Sequence, residues 1–213
     1  MIKKISRHYS VEHLANSTFE TRVAIYEDQV RGWFHDQARI LENNSDDAGF
    51  VLLLVALAYV EGYAIFKKGE DSQGNACEFF KEGFKDIFDL RESPPDIREK
   101  AIQSIWDEVR CGLFHTGMIR GNFILSRFNL PVEAFPDSTG QNVGRIQIDP
   151  HEMLNTVEAH LSAYVTKLRD PTQEELRSNF DKAWNLRVSS TAKRANRRKP
   201  GKSKRADVKV QRG

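Results

Sequence analysis

Cysteine is scarce in this chain: there are two, Cys77 and Cys111, among 213 residues. Two thiols cannot build a disulfide scaffold, and they lack the paired spacing of a structural metal site. Both are therefore expected as reduced thiols of a cytoplasmic protein. Also missing are a G-x-x-x-x-G-K-[ST] loop, a G-x-G-x-x-G turn after a strand, a G-x-S-x-G elbow and an H-E-x-x-H pair. Their absence removes the commonest nucleotide-binding, hydrolase and metalloprotease readings, and no cofactor or metal is expected. The opening stretch, 1–14, has basic residues but no apolar run behind them, so no secretory signal is expected. Phe50 to Val60 is wholly apolar and the run resumes after Glu61 and Gly62 as far as Phe66. That makes about 17 residues where a membrane span needs about 20. A buried central helix accounts for it better, and no membrane partner is expected.

The formal net charge of +2 hides an asymmetry. Residues 188–213 contain ten Lys or Arg against Asp207 alone, so this stretch carries +9 and the rest −7. An acidic body with a basic arm is the pattern of a folded domain plus a sticky extension.

Along the body, apolar periodicity predicts helices. The first runs over about 17–43, with Ser17 and Glu20 as a capping box and Phe19, Val23, Tyr26, Val30, Trp33/Phe34, Gln37 and Ile40 as its inward stripe. Residues 44–47 form a turn whose acids are placed to cap a second helix over 47–68, apolar nearly all round and stopped by Gly69. A third spans 75–90 (Phe79, Phe80, Phe84, Ile87, Phe88). A fourth spans 95–117 behind SPPD, with Ile97, Ala101, Ile105, Val109 and Leu113 inward. Segments 122–128 and 145–149 are short and β-prone, and predict a two-stranded hairpin within about 121–149. Pro150 opens a helix to about 168, and Pro171 a last one ending near Leu186. The expected organisation is an N-terminal lead (1–16), a mostly α domain (17–186) and a disordered basic tail (187–213).

Three Arg/His pairs lie five or six residues apart: Arg7/His13, Arg110/His115 and Arg145/His151. Only the middle pair ends a strongly amphipathic helix that follows two apolar ones. The stretch from Ile105 through Arg110, Cys111 and His115 to Met118, with the acid-bearing apolar helix around Ala58 to Phe66, resembles the HEPN domain family over roughly residues 17–120. The position after the Arg, often Asn, Asp or His in that family, is Cys111 here. The resemblance implies an antiparallel four-helix bundle, here carrying an inserted β-hairpin and extra C-terminal helices. It also implies a homodimer that brings two motifs to one cleft, and RNA cleavage of the toxin or antiviral type, with an antitoxin or regulatory protein as a further partner. Other members have lost catalysis and only bind RNA, nucleotides or proteins.

The chemistry gives these residue types a reason. RNA carries its own nucleophile, the 2′-hydroxyl, so cleavage to a cyclic phosphate requires a group that exchanges protons near neutrality and a cation at the phosphate. His115 suits the first role and the planar fork of Arg110 the second. Five helical residues separate them by about 7.5 Å of rise and about 140°, so convergence requires a curled Arg, a loosened helix near Gly112 or Gly117, or a second subunit. Glu61, inside the apolar run, orients Arg110 or His115 or simply pairs with any Arg. Thr116, Cys111 and Arg120 are the remaining supporting candidates. Tyr59 and Tyr63 fit core packing better than a cleft wall, and Asp107 and Glu108 a solvated face. In the tail, Lys193, Arg194, Arg197, Arg198, Lys199, Lys202, Lys204 and Arg205 are candidates for sequence-blind RNA tethering, or for solubility alone. Without catalysis, Arg110 is an ion-pair partner and His115 an ordinary helix-end histidine.

Overall fold

Helix α1, Phe19–Val30, starts from Thr18, whose Oγ1 accepts the Thr21 N–H at 3.2 Å. In this computed structural model, which describes residues 4–14, 17–90 and 93–197 and side chains as far as Arg187, the cap thus falls one residue after the expected Ser17. The helix expected to run unbroken to 43 instead passes through a π turn, Arg31–His35, before α2, Asp36–Asn44. The turn is closed by the Asp36 N–H bonding the Arg31 carbonyl five residues back. A π turn takes in one extra residue, and the inward face changes register there. Val23 and Tyr26 are buried as the stripe predicts, but Gly32, His35 and Ala38 go inward next. Trp33, Phe34 and Ile40 are left 47%, 47% and 57% exposed.

Helix α3, Gly49–Lys68, follows a turn in which no side chain caps its first residues, so the acidic cap expected from Asp46 or Asp47 is not made. It ends at Gly69 in the left-handed region (φ 72°), the conformation a glycine stop serves. Leu52, Leu53, Ala56, Leu57 and Val60 are fully buried, and α3 packs most extensively on α4, Ala76–Ile87, and on the two C-terminal helices, α7, Pro150–Arg169, and α8, Glu174–Arg197. By length and composition α3 is apolar enough to cross a membrane; its neighbours cover much of it. Helix α4 crosses closely: a Cβ at Gly83 would lie 2.4 Å from the Val60 carbonyl oxygen.

Helix α5, Pro95–Ser104, a second π turn, Ile105–Arg110, and α6, Cys111–Thr116, form one continuous helical path. Ile97, Ala101, Ile105, Val109 and Leu113 are all buried, as expected. On an α-helix a repeat of four drifts by about 40° per step. The wider turn, closed by the Cys111 N–H on the Trp106 carbonyl, takes up that drift. The path stops at Gly117 (φ 70°).

The late insertion is a three-stranded sheet rather than the expected two-stranded hairpin. Strands β1, Phe123–Leu125, β2, Val132–Pro136, and β3, Val143–Ile148, lie in the order β1-β3-β2. The two segments expected to pair do pair, but in parallel, Phe123 opposite Ile146 and Leu125 opposite Ile148. The hairpin is β2–β3, Val132 opposite Ile148. Strand β2 sits in the Pro- and Asp-rich stretch that reads as loop; it runs opposite to both β1 and β3, so the two reversals of the chain leave β1 and β3 parallel. Val132, Ala134, Ile146 and Ile148 turn one face inward, toward α5.

Asp149 caps α7, Pro150–Arg169, accepting the N–H groups of His151 and Glu152, with Pro150 at the first helical position. Helix α8, Glu174–Arg197, starts three residues later than Pro171 and runs beyond the expected end near Leu186. The stretch expected to be disordered from 187 is therefore helical as far as Arg197, and 198–213 lies outside the described residues. Phe180, Ala183 and Trp184 seat α8 against Tyr26 and Phe66. The lead is also docked: Ser6 and His8 hydrogen-bond Asp28 on α1, and Arg7 pairs with Asp36 at 2.8 Å. The fold is mostly α with one small sheet.

Candidate functional site

The wide turn at Ile105–Arg110 brings Arg110 to the side of α3. Its Nη2 donates to Glu61 Oε2 at 2.7 Å, and the two side chains are only 20% and 17% exposed. Glu61 also accepts the Ser72 hydroxyl at 2.9 Å, so both carboxylate oxygens are engaged. One turn to either side on the same helical path, Trp106 and Phe114 place their rings against the guanidinium, with its carbon 4.6 and 4.7 Å from their centroids. A planar cation between two aromatic faces, tied at one corner by a carboxylate, has little freedom to rotate. Among the described residues this is the one side-chain hydrogen bond that Arg110 donates, and the other N–H groups of the fork find no acceptor there.

His115 follows Phe114 directly and is exposed, near the C-terminal end of α6. Among the described residues no hydrogen bond or ring contact joins it to Arg110. The structure thus brings Arg110, Glu61, Ser72, Trp106 and Phe114 together, and among the described residues it joins His115 to them by no hydrogen bond or ring contact. Thr116 does not serve His115 by hydrogen bonding: its hydroxyl returns to the Gly112 carbonyl at 2.8 Å. Arg120 is spent locally, with Nε 3.1 Å from Glu108 Oε2 and Nη2 bonding the Asp107 carbonyl. Glu108 and Asp107, read as a solvated face, hold that arginine and Gln103 respectively. Cys111 is half-buried with a free thiol.

Gly112 fixes how the chain leaves α6. A Cβ there would stand 2.3 Å from the Met118 carbonyl oxygen, so only glycine lets the return segment pack against the motif helix. Tyr59 and Tyr63 are core residues facing α7, as expected: the Tyr59 hydroxyl bonds His160 Nδ1 at 2.9 Å and Tyr63 meets the same ring edge-on. In the tail, Lys193, Arg194 and Arg197 belong to the α8 backbone, while Arg198, Lys199, Lys202, Lys204 and Arg205 lie outside the described residues. Trp106, Phe114 and Ser72 were missed by sequence reasoning. The first two carried a signal, since Trp106, Arg110 and Phe114 recur at steps of four, the spacing that stacks side chains along a helix. Ser72, in the loop after α3, carried none.

Comparison with protein-family models, with curated proteins and with solved structures finds no match to this chain.

Proposed function

We propose that the protein is a HEPN-like endoribonuclease that cleaves RNA through Arg110 and His115. The observation that carries this reading is a guanidinium immobilised by Glu61, Trp106 and Phe114, with donors to spare among the described residues, on the same helical path as an exposed imidazole five residues on. In the reaction the 2′-oxygen bonds to phosphorus as its proton passes to a base, and the bond to the 5′-oxygen breaks as that oxygen receives a proton. His115 exchanges these protons, the general acid–base role that histidine most often fills. Arg110 meets the charge that builds on the non-bridging oxygens, and its fixed orientation means no reorganisation is needed as the charge develops. Glu61 and Ser72 position the guanidinium. A homodimer supplies a second imidazole, so that one serves as base and the other as acid. The basic tail tethers RNA, and the wider setting is a toxin or antiviral effector held in check by a partner protein.

One observation favours the alternative, a non-catalytic module that binds RNA, a nucleotide or a protein at the same place. Glu61 neutralises Arg110, and an ion pair attracts phosphate less than a lone cation does. A single experiment separates the two. The full chain is incubated with mixed RNA in EDTA, beside Arg110→Ala and His115→Ala. The nuclease reading expects products with 2′,3′-cyclic ends and a loss of about 100-fold or more in each variant. RNA left intact at every protein concentration, or cleaved equally by His115→Ala, contradicts it.

A further inference from the structure

Glycine inside a helix weakens it, and here most such glycines have a packing reason. Gly83 and Gly112 each admit a carbonyl oxygen that a Cβ would strike. Gly62, in the middle of α3, has none: nothing lies within 4 Å of where its Cβ would be. It opens instead onto a cavity of about 250 Å³ between α3, the end of α1 and the first π turn. The walls are mainly aromatic, formed by Tyr26, Phe34, Tyr59, Tyr63 and Phe66, with His35 among them. His35 is 1% exposed, and among the described residues neither ring nitrogen has a hydrogen-bond partner. The Tyr59 ring stands edge-on to it at 5.7 Å, but that tyrosine's hydroxyl is already committed to His160. Burial pushes the His35 pKa down to about 4, so at neutral pH the ring is uncharged and offers one donor and one acceptor.

We propose that this cavity is a binding site for a small planar heteroaromatic compound, one or two fused rings in size, that lies against Gly62 and hydrogen-bonds His35. Size sets the upper limit: a benzene ring fits an engineered cavity of about 150 Å³, so the space here suits a bicyclic ring and excludes a drug-sized ligand. Aromatic walls favour a flat ring over a sugar or an aliphatic chain. Arg187, also on the lining, disfavours a cation. The unmet imidazole asks for a ring that carries hydrogen-bonding nitrogen. The π turn is what aims His35 inward, a use to which such turns are commonly put. The site stands apart from the nuclease reading. Gly62 and Glu61 are neighbours in sequence, but they point about 100° apart around α3.

The test is titration of the full-length chain with adenine and with benzimidazole, followed by calorimetry and by saturation-transfer NMR. Wild type is expected to bind at least one of them saturably. Gly62→Leu, which fills the space and improves helix propensity, is expected to keep or raise the melting temperature and weaken binding at least tenfold. His35→Leu should weaken it as well. No saturable binding of either probe shows a solvated recess only and overturns the proposal. Undiminished binding by Gly62→Leu overturns it too, and so does a Gly62→Leu chain that melts earlier, since the space is then not free for a ring.

Discussion

At the scale of a single residue, Arg110 holds an ion pair with Glu61 and, on the proposed reading, meets the phosphate; substitutions separate the two. Arg110→Lys keeps the charge but loses the fork and the stacking between two rings. It is expected to keep the fold and lose most of the cleavage rate, read in a single-turnover assay. Glu61→Gln leaves the guanidinium mostly buried and without its counter-charge. The expected loss of stability, measured by urea unfolding, falls short of the ~3–5 kcal/mol seen when fully buried pairs are broken. His35 makes a pH prediction of definite sign. Its folded pKa is depressed to about 4 while the unfolded chain titrates near the usual 6.5. Between those values the unfolded state binds a proton that the folded state refuses, so stability falls as pH drops through the window, by about 1.4 kcal/mol per unit at most. His160, also depressed by burial to about 4, and Glu42 act in the same direction. Burial works against the Glu42 charge, but hydrogen bonds from His151 and Arg39 hold its pKa below the carboxylate norm. Melting curves between pH 7 and pH 4 check this: His35→Leu should flatten the slope, and an unchanged slope contradicts the assignment.

At the scale of the element, junctions carry more information than helix bodies. Asp149 is 2% exposed and holds the first turn of α7 together with the Phe128 N–H. Asp149→Ala is expected to cost about 0.5–2 kcal/mol, the range for a lost helix cap, in a denaturant titration. Gly112→Ala forces the Met118 carbonyl to move and is expected to cost about 1–3 kcal/mol, as overpacking does. Much at this scale was legible in the sequence. Apolar runs gave α3 and its stop at Gly69, and Pro150 marked the start of α7. The π turns were not read, because an amphipathic stripe is projected at a fixed period. After Val30 that projection sends Trp33 and Phe34 inward when the added residue turns His35 there instead. The strict step of four from Ile97 to Leu113 did hold a clue, since no straight α-helix keeps five such residues on one face. Strand β2 was invisible for another reason: Val132–Pro136 alternates too briefly among turn residues to stand out, and only its pairing with β3 defines it.

At the scale of the whole molecule, the charge map and the motif make one account. The body carries −7 and residues 188–213 carry +9, so on the proposed nuclease reading RNA would be drawn to the arm rather than to the surface at large. Removing 198–213 is expected to weaken RNA binding and to flatten its salt dependence, by about 0.7 in logarithmic slope for each phosphate that the arm no longer neutralises. Cleavage at saturating RNA should be unchanged, and filter binding across a salt series beside a cleavage assay measures both. The charge asymmetry was fully legible, as was the need of an acid within the apolar run for an arginine. That Glu61 meets Arg110 rather than another arginine depends on how α3 and α6 pack, which no local pattern encodes. The central claim concerns the 2′-hydroxyl as nucleophile. It is tested most directly by single-turnover cleavage of a short single-stranded RNA in chelator, beside the same strand with one 2′-deoxy residue, with product ends read by mass spectrometry. The account predicts cyclic phosphate ends, no scission after the deoxy residue and none by His115→Ala; scission at the deoxy position, or 5′-phosphate ends, would contradict it.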